Sequence, residues 1–253
     1  MSYTKIAELS FILVVLASIA PPAFAEDEEG AWGPISATVT LTSDYRFRGQ
    51  SQTDRDAAVQ GGIDYSHSSG FNASIWASTI DFNDAQQSPA EVDFLAGYTH
   101  KFSESTEGSA AVAYYWYPDS SPAHYDYFEL IGNLTHDLSS FSLSADFTYS
   151  PDYSGETGYA VGLGGGVDVP ITVDDIDWLS ASAHLGYQWI EDNVAYDSPD
   201  WLFYDFGATA TWEVFAFDLR YTGTDTSKAD CFGGTKLCEG GVVLTLTANL
   251  PGE

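Results

Sequence analysis

Polarity alternates residue by residue over most of this chain, and this alternation constrains the fold more than any other feature. Between residues 35 and 47 the odd positions are mostly apolar or aromatic, whereas the even positions are all polar. Successive side chains of a β-strand point to opposite faces, so the segment has one apolar and one polar face. Further strands are predicted at 57–66, 71–82, 91–102, 109–117, 125–135, 141–150, 157–169, 178–190, 201–212, 215–222 and 242–250. The total of twelve is even, as is usual for bacterial outer-membrane barrels.

The N-terminus has the features of an export signal. Residues 1–25 contain Lys5, an apolar run from Leu9 to Ala20, and the small-residue motif Ala23-Phe24-Ala25. That run is short for a bilayer-spanning helix, which needs about 20 residues. We therefore predict a cleaved signal peptide at 1–25, an acidic periplasmic segment at 26–34 and a barrel at 35–253.

The lengths of the predicted connections support a barrel with both termini in the periplasm. Every second connection should then be a tight turn, and the others should be longer external loops. Short connections are predicted at 68–69, 104–105, 139–140 and 213–214, and longer ones at 49–56, 83–90, 191–200 and 223–241. The eighth connection, at 170–177, is longer than this scheme expects.

The placement of charge distinguishes a membrane barrel from a soluble all-β domain. All four Lys and Arg within the predicted strands, and most of the acids, fall on the polar face: Asp44, Arg46, Arg48, Asp64, Glu91, Asp93, Lys101, Asp146, Asp205, Asp218 and Arg220. Asp81 and Asp126 break the phase and are expected at a rim or in a loop. An Arg or Lys on the lipid face near mid-bilayer would cost about 2–4 kcal/mol. In a soluble domain the charged face would be outside and the apolar face would be packed within.

Aromatic residues lie at the ends of the apolar face, as in the interfacial girdle of a membrane barrel. They are Tyr45, Phe47, Tyr98, Tyr149, Tyr187, Trp189, Trp212 and Phe215. We therefore predict an all-β fold, a transmembrane antiparallel up-and-down β-barrel of about 12 strands. The expected location is the outer membrane of a Gram-negative bacterium.

One segment resembles a known family. The run Ser43-Asp44-Tyr45-Arg46-Phe47-Arg48-Gly49-Gln50-Ser51-Gln52-Thr53 is similar to the first-strand signature of the TorF family, Gram-negative outer-membrane proteins described as porins. The resemblance continues through 60–65, 76–78 and 97–98 and covers most of the first half of the chain. It implies a porin-like β-barrel and indicates no particular substrate.

The composition excludes some partners. The chain has 8 Lys and Arg against 37 Asp and Glu, a formal net charge of −29. Nucleic acid is excluded as a partner, because binding it requires basic residues that neutralise phosphates. Acidic residues also outnumber basic ones on the predicted lumen face, which favours the passage of cations. The alternative is that the charge reflects acidic loops suited to a saline habitat or to divalent bridging of lipopolysaccharide.

The cluster Asp44, Arg46 and Arg48 lies near the predicted external mouth. It could form a charged constriction or a rim that orients a ligand. Alternatively, the arginines pair with lumen acids such as Asp64, Glu91 or Asp93 and brace the wall. Four aromatic residues lie on the same predicted face: Trp76, Phe82, Trp201 and Phe203. They could form a stacking track for sugars or nucleosides. Alternatively, they fill the interior of the barrel.

Cys231 and Cys238 are predicted to form a disulfide in the last external loop, because the periplasm oxidises nearby thiols. No cofactor and no metal site is predicted, since the chain has no Cys/His cluster. The five histidines are scattered singly, and no nucleophile motif accompanies His184. A catalytic barrel such as a lipase or protease would need a Ser or Asp/His constellation, so we do not expect an enzyme.

These observations predict a passive, cation-preferring channel for small solutes or ions. The alternative is a non-conducting structural or surface-interaction barrel whose lumen is closed by salt bridges and aromatic residues. The expected partners are outer-membrane lipid, lipopolysaccharide, the barrel-assembly machinery, and small solutes or cations.

Overall fold

The structure is a computed structural model that describes residues 35–83, 88–121, 123–173 and 176–250. The predicted signal peptide at 1–25 and the acidic segment at 26–34 lie outside the described residues. Among the described residues, no helix is long and apolar enough to cross a membrane.

The described chain is almost entirely β-structure. The strands are β1 (Ile35–Thr42), β2 (Arg46–Phe47), β3 (Gln50–Ser51), β4 (Ala58–Ser66), β5 (Phe71–Thr79), β6 (Ala90–Ser103), β7 (Thr106–Trp116), β8 (Tyr127–Asp137), β9 (Ser142–Ser150), β10 (Ala160–Val173), β11 (Ile176–Ile190), β12 (Trp201–Trp212), β13 (Phe215–Thr224) and β14 (Gly241–Leu250). A one-turn helix, α1 (Asn193–Tyr196), and a 3-10 turn at Lys228–Asp230 complete the elements.

Twelve strands close into one antiparallel barrel, and β2 and β3 form a separate small hairpin. Each wall strand pairs with its neighbours in sequence, and β1 closes the ring by pairing with β14 from Ala37↔Leu250 to Thr42↔Thr245. Closure leaves no exposed sheet edge, as a β-structure within a bilayer requires. The predicted twelve-strand up-and-down barrel is therefore confirmed.

Tight turns and longer connections alternate even more regularly than the sequence indicated. The long eighth connection predicted at 170–177 is wrong, because β10 continues to Val173 and β11 begins at Ile176. Pro170 lies inside β10 and is paired with Ser180 of β11. A proline is tolerated there because the β9 pairing ends at Asp168, so no strand needs its missing N–H group on that side.

The two faces of the wall have opposite character. Large apolar side chains point outward and are about half exposed, including Leu41, Val59, Ile63, Ile75, Leu130, Leu163, Leu185, Leu219 and Leu244. Charged side chains of the same strands point inward, and Glu91, Glu129 and Asp205 are buried there. A soluble barrel would show the reverse arrangement. The apolar belt is therefore suited to lipid, as predicted.

The first strand is shorter than predicted, and this changes the interior. β1 ends at Thr42, and residues 43–57, here called the plug, fold into the lumen. The predicted external loop at 49–56 is therefore wrong. Tyr45 and Phe47 are 5% and 8% exposed inside the barrel, so they do not belong to the aromatic girdle. The other six girdle aromatics are exposed or half-buried.

The outward belt generates a direct test. Leu219 lies mid-strand in β13 with 54% of its surface exposed. We expect Leu219→Arg to lower the free energy of unfolding by about 2–4 kcal/mol, because a charge would enter the hydrocarbon. The matched variant Leu219→Met should change it by less than about 1.5 kcal/mol. Urea unfolding in lipid vesicles provides the measurement, and equal effects of the two variants would contradict a lipid-facing belt.

Candidate functional site

The plug is built on a two-residue hairpin turn. Arg48 and Gly49 join β2 to β3, and both have positive φ angles, 47° and 80°. Positive φ at both central residues is the signature of the tight turn that best fits twisted strands. A Cβ atom on Gly49 would lie 2.5 Å from the Gly223 carbonyl oxygen. Only glycine therefore lets the plug approach the wall this closely.

Arg48 fixes the plug across the lumen. Its Nη2 atom donates to both carboxylate oxygens of Glu129, at 2.7 and 2.8 Å, and to Thr148 at 3.1 Å. Its Nη1 atom donates to Gln188 at 2.8 Å, and its carbonyl oxygen accepts from the Trp201 indole at 2.9 Å. The Arg48 and Glu129 side chains are only 2% and 1% exposed.

The partners of Arg48 lie on β8, β9, β11 and β12, far from the strands that flank the plug. In the closed order of strands, β9 stands opposite β1. The plug therefore crosses the barrel and narrows the lumen at the level of Arg48.

The other end of the hairpin is held by the last external loop, residues 225–240, here called the clasp loop. Arg46 donates to the carbonyl oxygens of Leu237 and Glu239 at 3.3 and 2.9 Å and forms an ion pair with Asp44 at 2.6 Å. Ser51 N–H donates to Leu237 O at 2.8 Å. Backbone carbonyls of the clasp loop thus serve as fixed acceptors for the plug.

Cys231 and Cys238 form a disulfide within the clasp loop, as the sequence predicted. Both residues are buried, and Leu237 packs against them. The disulfide closes the segment that presents the carbonyls of Leu237 and Cys238, and the latter accepts from Thr224 Oγ1 at 3.0 Å. It therefore stiffens the part of the loop that holds the plug.

A second polar network braces the lumen nearer the tight-turn end. Arg220 pairs with Asp205 and, at 3.1 Å, with Asp218. Its Nη2 atom also donates to Ser182 at 2.9 Å. His184 Nε2 lies 2.8 Å from Asp146 Oδ1. These residues form a connected polar network, in which every contact of the Arg220 guanidinium is with a carboxylate or hydroxyl oxygen.

Glu91 and Asp93 differ from the acids of these networks because most of their carboxylate oxygens have no partner. They are alternate residues of β6, so both side chains point into the lumen, where they are 2% and 1% exposed. Tyr117 donates to Glu91 Oε1 at 3.1 Å. Glu91 Oε2 and both carboxylate oxygens of Asp93 have no hydrogen-bond partner. Burial, and then the charges of Glu91 and Asp93, raise the pKa values of the Tyr45 and Tyr117 hydroxyls well above their ordinary value.

A cavity of about 450 Å³ opens beside this pair at the long-loop end of the barrel. Its lining combines aromatic with acidic side chains, namely Trp116, Tyr117, Tyr153, Asp119, Asp126, Asp152 and Glu156, together with Ser120, Ser121 and His124. Tyr117 both lines the cavity and contacts Glu91. Tyr117 therefore separates the cavity from Glu91.

The remaining residues of the predicted site lie apart from these clusters. Asp64 is half-buried on β4, opposite Ser36 and Ser74, and forms no ion pair with the described residues. Lys101 is exposed at the tight-turn end of β6, across from Glu107. Neither contacts the plug.

The structure distinguishes between the alternatives that the sequence left open for the arginines. Both are engaged in buried pairs, but Arg46 pairs with Asp44 and Arg48 pairs with Glu129, rather than with Asp64, Glu91 or Asp93. Glu129 is not among the predicted site residues. The signal that could have revealed it is an isolated acid within the apolar run Tyr127-Phe128-Glu129-Leu130-Ile131.

The lumen aromatics pack against one another and against the plug. Trp76 contacts Tyr45 with ring centroids 5.3 Å apart, and Phe203 stacks on His184 at 5.7 Å. Trp201 stacks on Tyr196 of α1 at 5.7 Å and is fully buried. These rings fill the interior around the plug, and a continuous stacking track stays a prediction without support from these contacts.

Comparisons with known proteins agree with the architecture. The sequence profile of a family described as "Bacterial protein of unknown function (Gcw_chp)" matches residues 28–250. A comparison with curated proteins finds no match. Among solved structures, the chain is similar to the KdgM porin in complex with disordered oligogalacturonate, with 10% identity, a TM-score of 0.55 and coverage of 85% of this chain and 98% of that chain.

The NanC porin is similar to the same extent, with 12% identity, a TM-score of 0.56 and the same two coverages. At this level of identity the likeness shows a shared barrel fold.

The buried pair of Arg48 and Glu129 generates a second test. Arg48→Met should lower the free energy of unfolding by about 3–5 kcal/mol, because it leaves an unpaired buried carboxylate. Adding Glu129→Gln should recover most of that loss. Arg55→Met should cost less than about 1 kcal/mol, since the Arg55–Glu239 pair is 32% and 42% exposed. Urea unfolding of the wild type, these three variants and Glu129→Gln alone provides the values, and additive effects of Arg48→Met and Glu129→Gln would contradict the coupling.

Proposed function

The chain belongs to the Gcw_chp family, and from that premise we propose that it is an outer-membrane channel for small solutes or ions that prefers cations. The observation that carries the proposal is the polarity of the closed barrel, which has an apolar outer belt and an inner face rich in carboxylates. The resemblance of residues 43–53 to the TorF family of porins favours the same function.

The plug limits the size of the solute. It crosses the lumen at Arg48, so a conducting route must run beside it, and the acidic cavity lined by Tyr117 would form the external entrance of that route. A path of this kind admits ions and small hydrated solutes and excludes bulky polymers.

The preference for cations follows from which charges are already paired. Every arginine of the described residues forms an ion pair: Arg46 with Asp44, Arg48 with Glu129, Arg55 with Glu239, and Arg220 with Asp205 and Asp218. Asp64, Glu91 and Asp93 have no ion-pair partner among the described residues. Carboxyl groups without an ion-pair partner thus outnumber unpaired bases on the predicted lumen face, and those that are ionised would favour cations over anions.

The proposed location is the outer membrane of a Gram-negative bacterium. Outer-membrane lipid and lipopolysaccharide would cover the apolar belt, and the barrel-assembly machinery would insert the chain.

The second candidate is a non-conducting structural or surface-interaction barrel. The nearly complete burial of Arg48 and Glu129 favours it, because a plug that never moves would close most of the lumen. The two candidates differ in what removal of the plug should do.

Planar-bilayer recording decides between them. Thr42 and Ala58 are register partners, so a two-residue Asn-Gly turn can replace residues 43–57 directly. Glu129→Gln accompanies this deletion, so that no buried carboxylate is left unpaired. We expect small cation-selective steps from the wild-type protein in a KCl gradient and several-fold larger steps from the plug deletion.

Folding is checked for each protein by heat-modifiable migration in gels. Silence of both folded proteins would favour the non-conducting barrel. Steps whose reversal potential favours chloride would contradict the preference for cations.

A further inference from the structure

Asp93 presents an unsolved electrostatic problem in the lumen wall. Its side chain is almost fully buried, yet neither carboxylate oxygen has a hydrogen-bond partner, and the adjacent Glu91 leaves Oε2 without one. A buried ionised carboxylate is strongly unfavourable unless a counter-charge or hydrogen bonds compensate it. Two such groups at alternate positions of one strand increase the cost, because their charges repel.

The surroundings provide oxygen atoms but no cation. Trp76 of β5 and Tyr115 of β7 flank Asp93 in the wall. Tyr45 of the plug faces the pair, since its ring packs on Trp76 and its hydroxyl is influenced by the charges of Glu91 and Asp93. None of the ion pairs among the described residues includes Glu91 or Asp93.

Glu129 is another buried carboxylate in the same lumen, and its charge is compensated. Its carboxylate is as deeply buried as that of Asp93, and Arg48, Tyr115 and the plug hairpin compensate it. Arg48 is already engaged with Glu129, so it is not available to the Glu91–Asp93 pair. No side chain of the described residues therefore supplies a counter-charge, so the pair is either neutral or compensated by a cation from outside the chain.

We propose that the Glu91–Asp93 pair binds an alkali-metal cation, K⁺ or Na⁺, on its way through the lumen. The inference rests on the proposed channel function and names the site that would select its ions. The donors are all oxygen atoms, which hard cations prefer over soft ones.

The small size of the donor set fits a cation in transit. Among the described residues, no group of three or more His, Cys, Asp or Glu is arranged to hold a metal ion. Two carboxylates attract a monovalent cation while leaving it able to depart, as conduction requires. The acidic cavity lies near the pair, because Tyr117 lines the cavity and its hydroxyl donates to Glu91.

Thallous ion tests the site directly, because Tl⁺ substitutes for K⁺ and scatters X-rays anomalously. Crystals of the detergent-solubilised protein are soaked in thallous acetate, and anomalous difference maps are calculated for the wild type and two variants. Asp93→Asn removes the charge at the site with little change of shape. Asp64→Asn removes one lumen charge on β4, away from the site, and is the matched control.

We expect an anomalous peak between the carboxylates of Glu91 and Asp93 in the wild type and in Asp64→Asn, and none in Asp93→Asn. A wild-type map without that peak would overturn the proposal and indicate that the pair is neutralised by protons or water. A peak that persists in Asp93→Asn would also overturn it. If Asp93→Asn does not fold, Glu91→Gln replaces it, with the same expectations.

Bilayer recordings separate this inference from the channel function itself. We expect Asp93→Asn to reduce the permeability ratio of K⁺ to Cl⁻ by roughly threefold or more, and Asp64→Asn, which removes an unpaired lumen charge away from the site, to reduce it by a smaller factor. A thallium peak in a folded protein that does not conduct would support the ion site and contradict the channel function. Conductance without a thallium peak would support the channel function and contradict the ion site.

Discussion

A guanidinium that is buried with a carboxylate in the middle of the barrel determines what the lumen can do. The pair of Arg48 and Glu129 holds the tip of a hairpin that is also held by the clasp loop and by the packing of Tyr45 on Trp76. Buried pairs of this kind add little net stability compared with well-packed apolar residues, but removing one partner is strongly unfavourable. The pair therefore acts mainly on position, because it places the plug at one depth and against one side of the wall.

That position leaves an uneven distribution of charge in the interior. On the tight-turn side of the plug, Arg220, Asp205 and Asp218 compensate one another. Beside the plug, the arginines are already paired, and Glu91 and Asp93 are left without an ion-pair partner among the described residues. The acidity of the whole chain is a poor guide to this local feature, because most acids that face the lumen are bonded.

Much of the wall could be predicted from the sequence, because strand polarity is a local property. All twelve wall strands were predicted, nine of them from clear period-two alternation, whereas the phase of 71–82, 109–117 and 125–135 was ambiguous; the position of charges on the polar face favoured the orientation that the structure shows. The plug could not be recognised in the same way, since the alternation of β1 continues through Tyr45 and Phe47 into the hairpin. A wall strand and an inward hairpin share this pattern, and only the Arg48-Gly49 turn distinguishes them locally.

The candidate site was predicted less completely. Asp44, Arg46, Arg48, Glu91 and Asp93 were selected because of their phase, and the structure places all five in the lumen. Their partners depend on contacts between distant strands. Arg48 meets Glu129, Thr148 and Gln188, which lie 81, 100 and 140 residues away in the sequence. No local pattern contains that information.

The bonds between the plug and the clasp loop have a consequence for how the barrel assembles. Arg46 follows the first wall strand, whereas Leu237 and Glu239 precede the last, 191 and 193 residues later. Those two strands form the seam at which the ring closes. The clasp loop can therefore bind the plug only when β14 has joined the barrel, since contacts between residues this distant in sequence form late. Once formed, these hydrogen bonds link the two sides of the seam between β1 and β14 and oppose its reopening in the membrane.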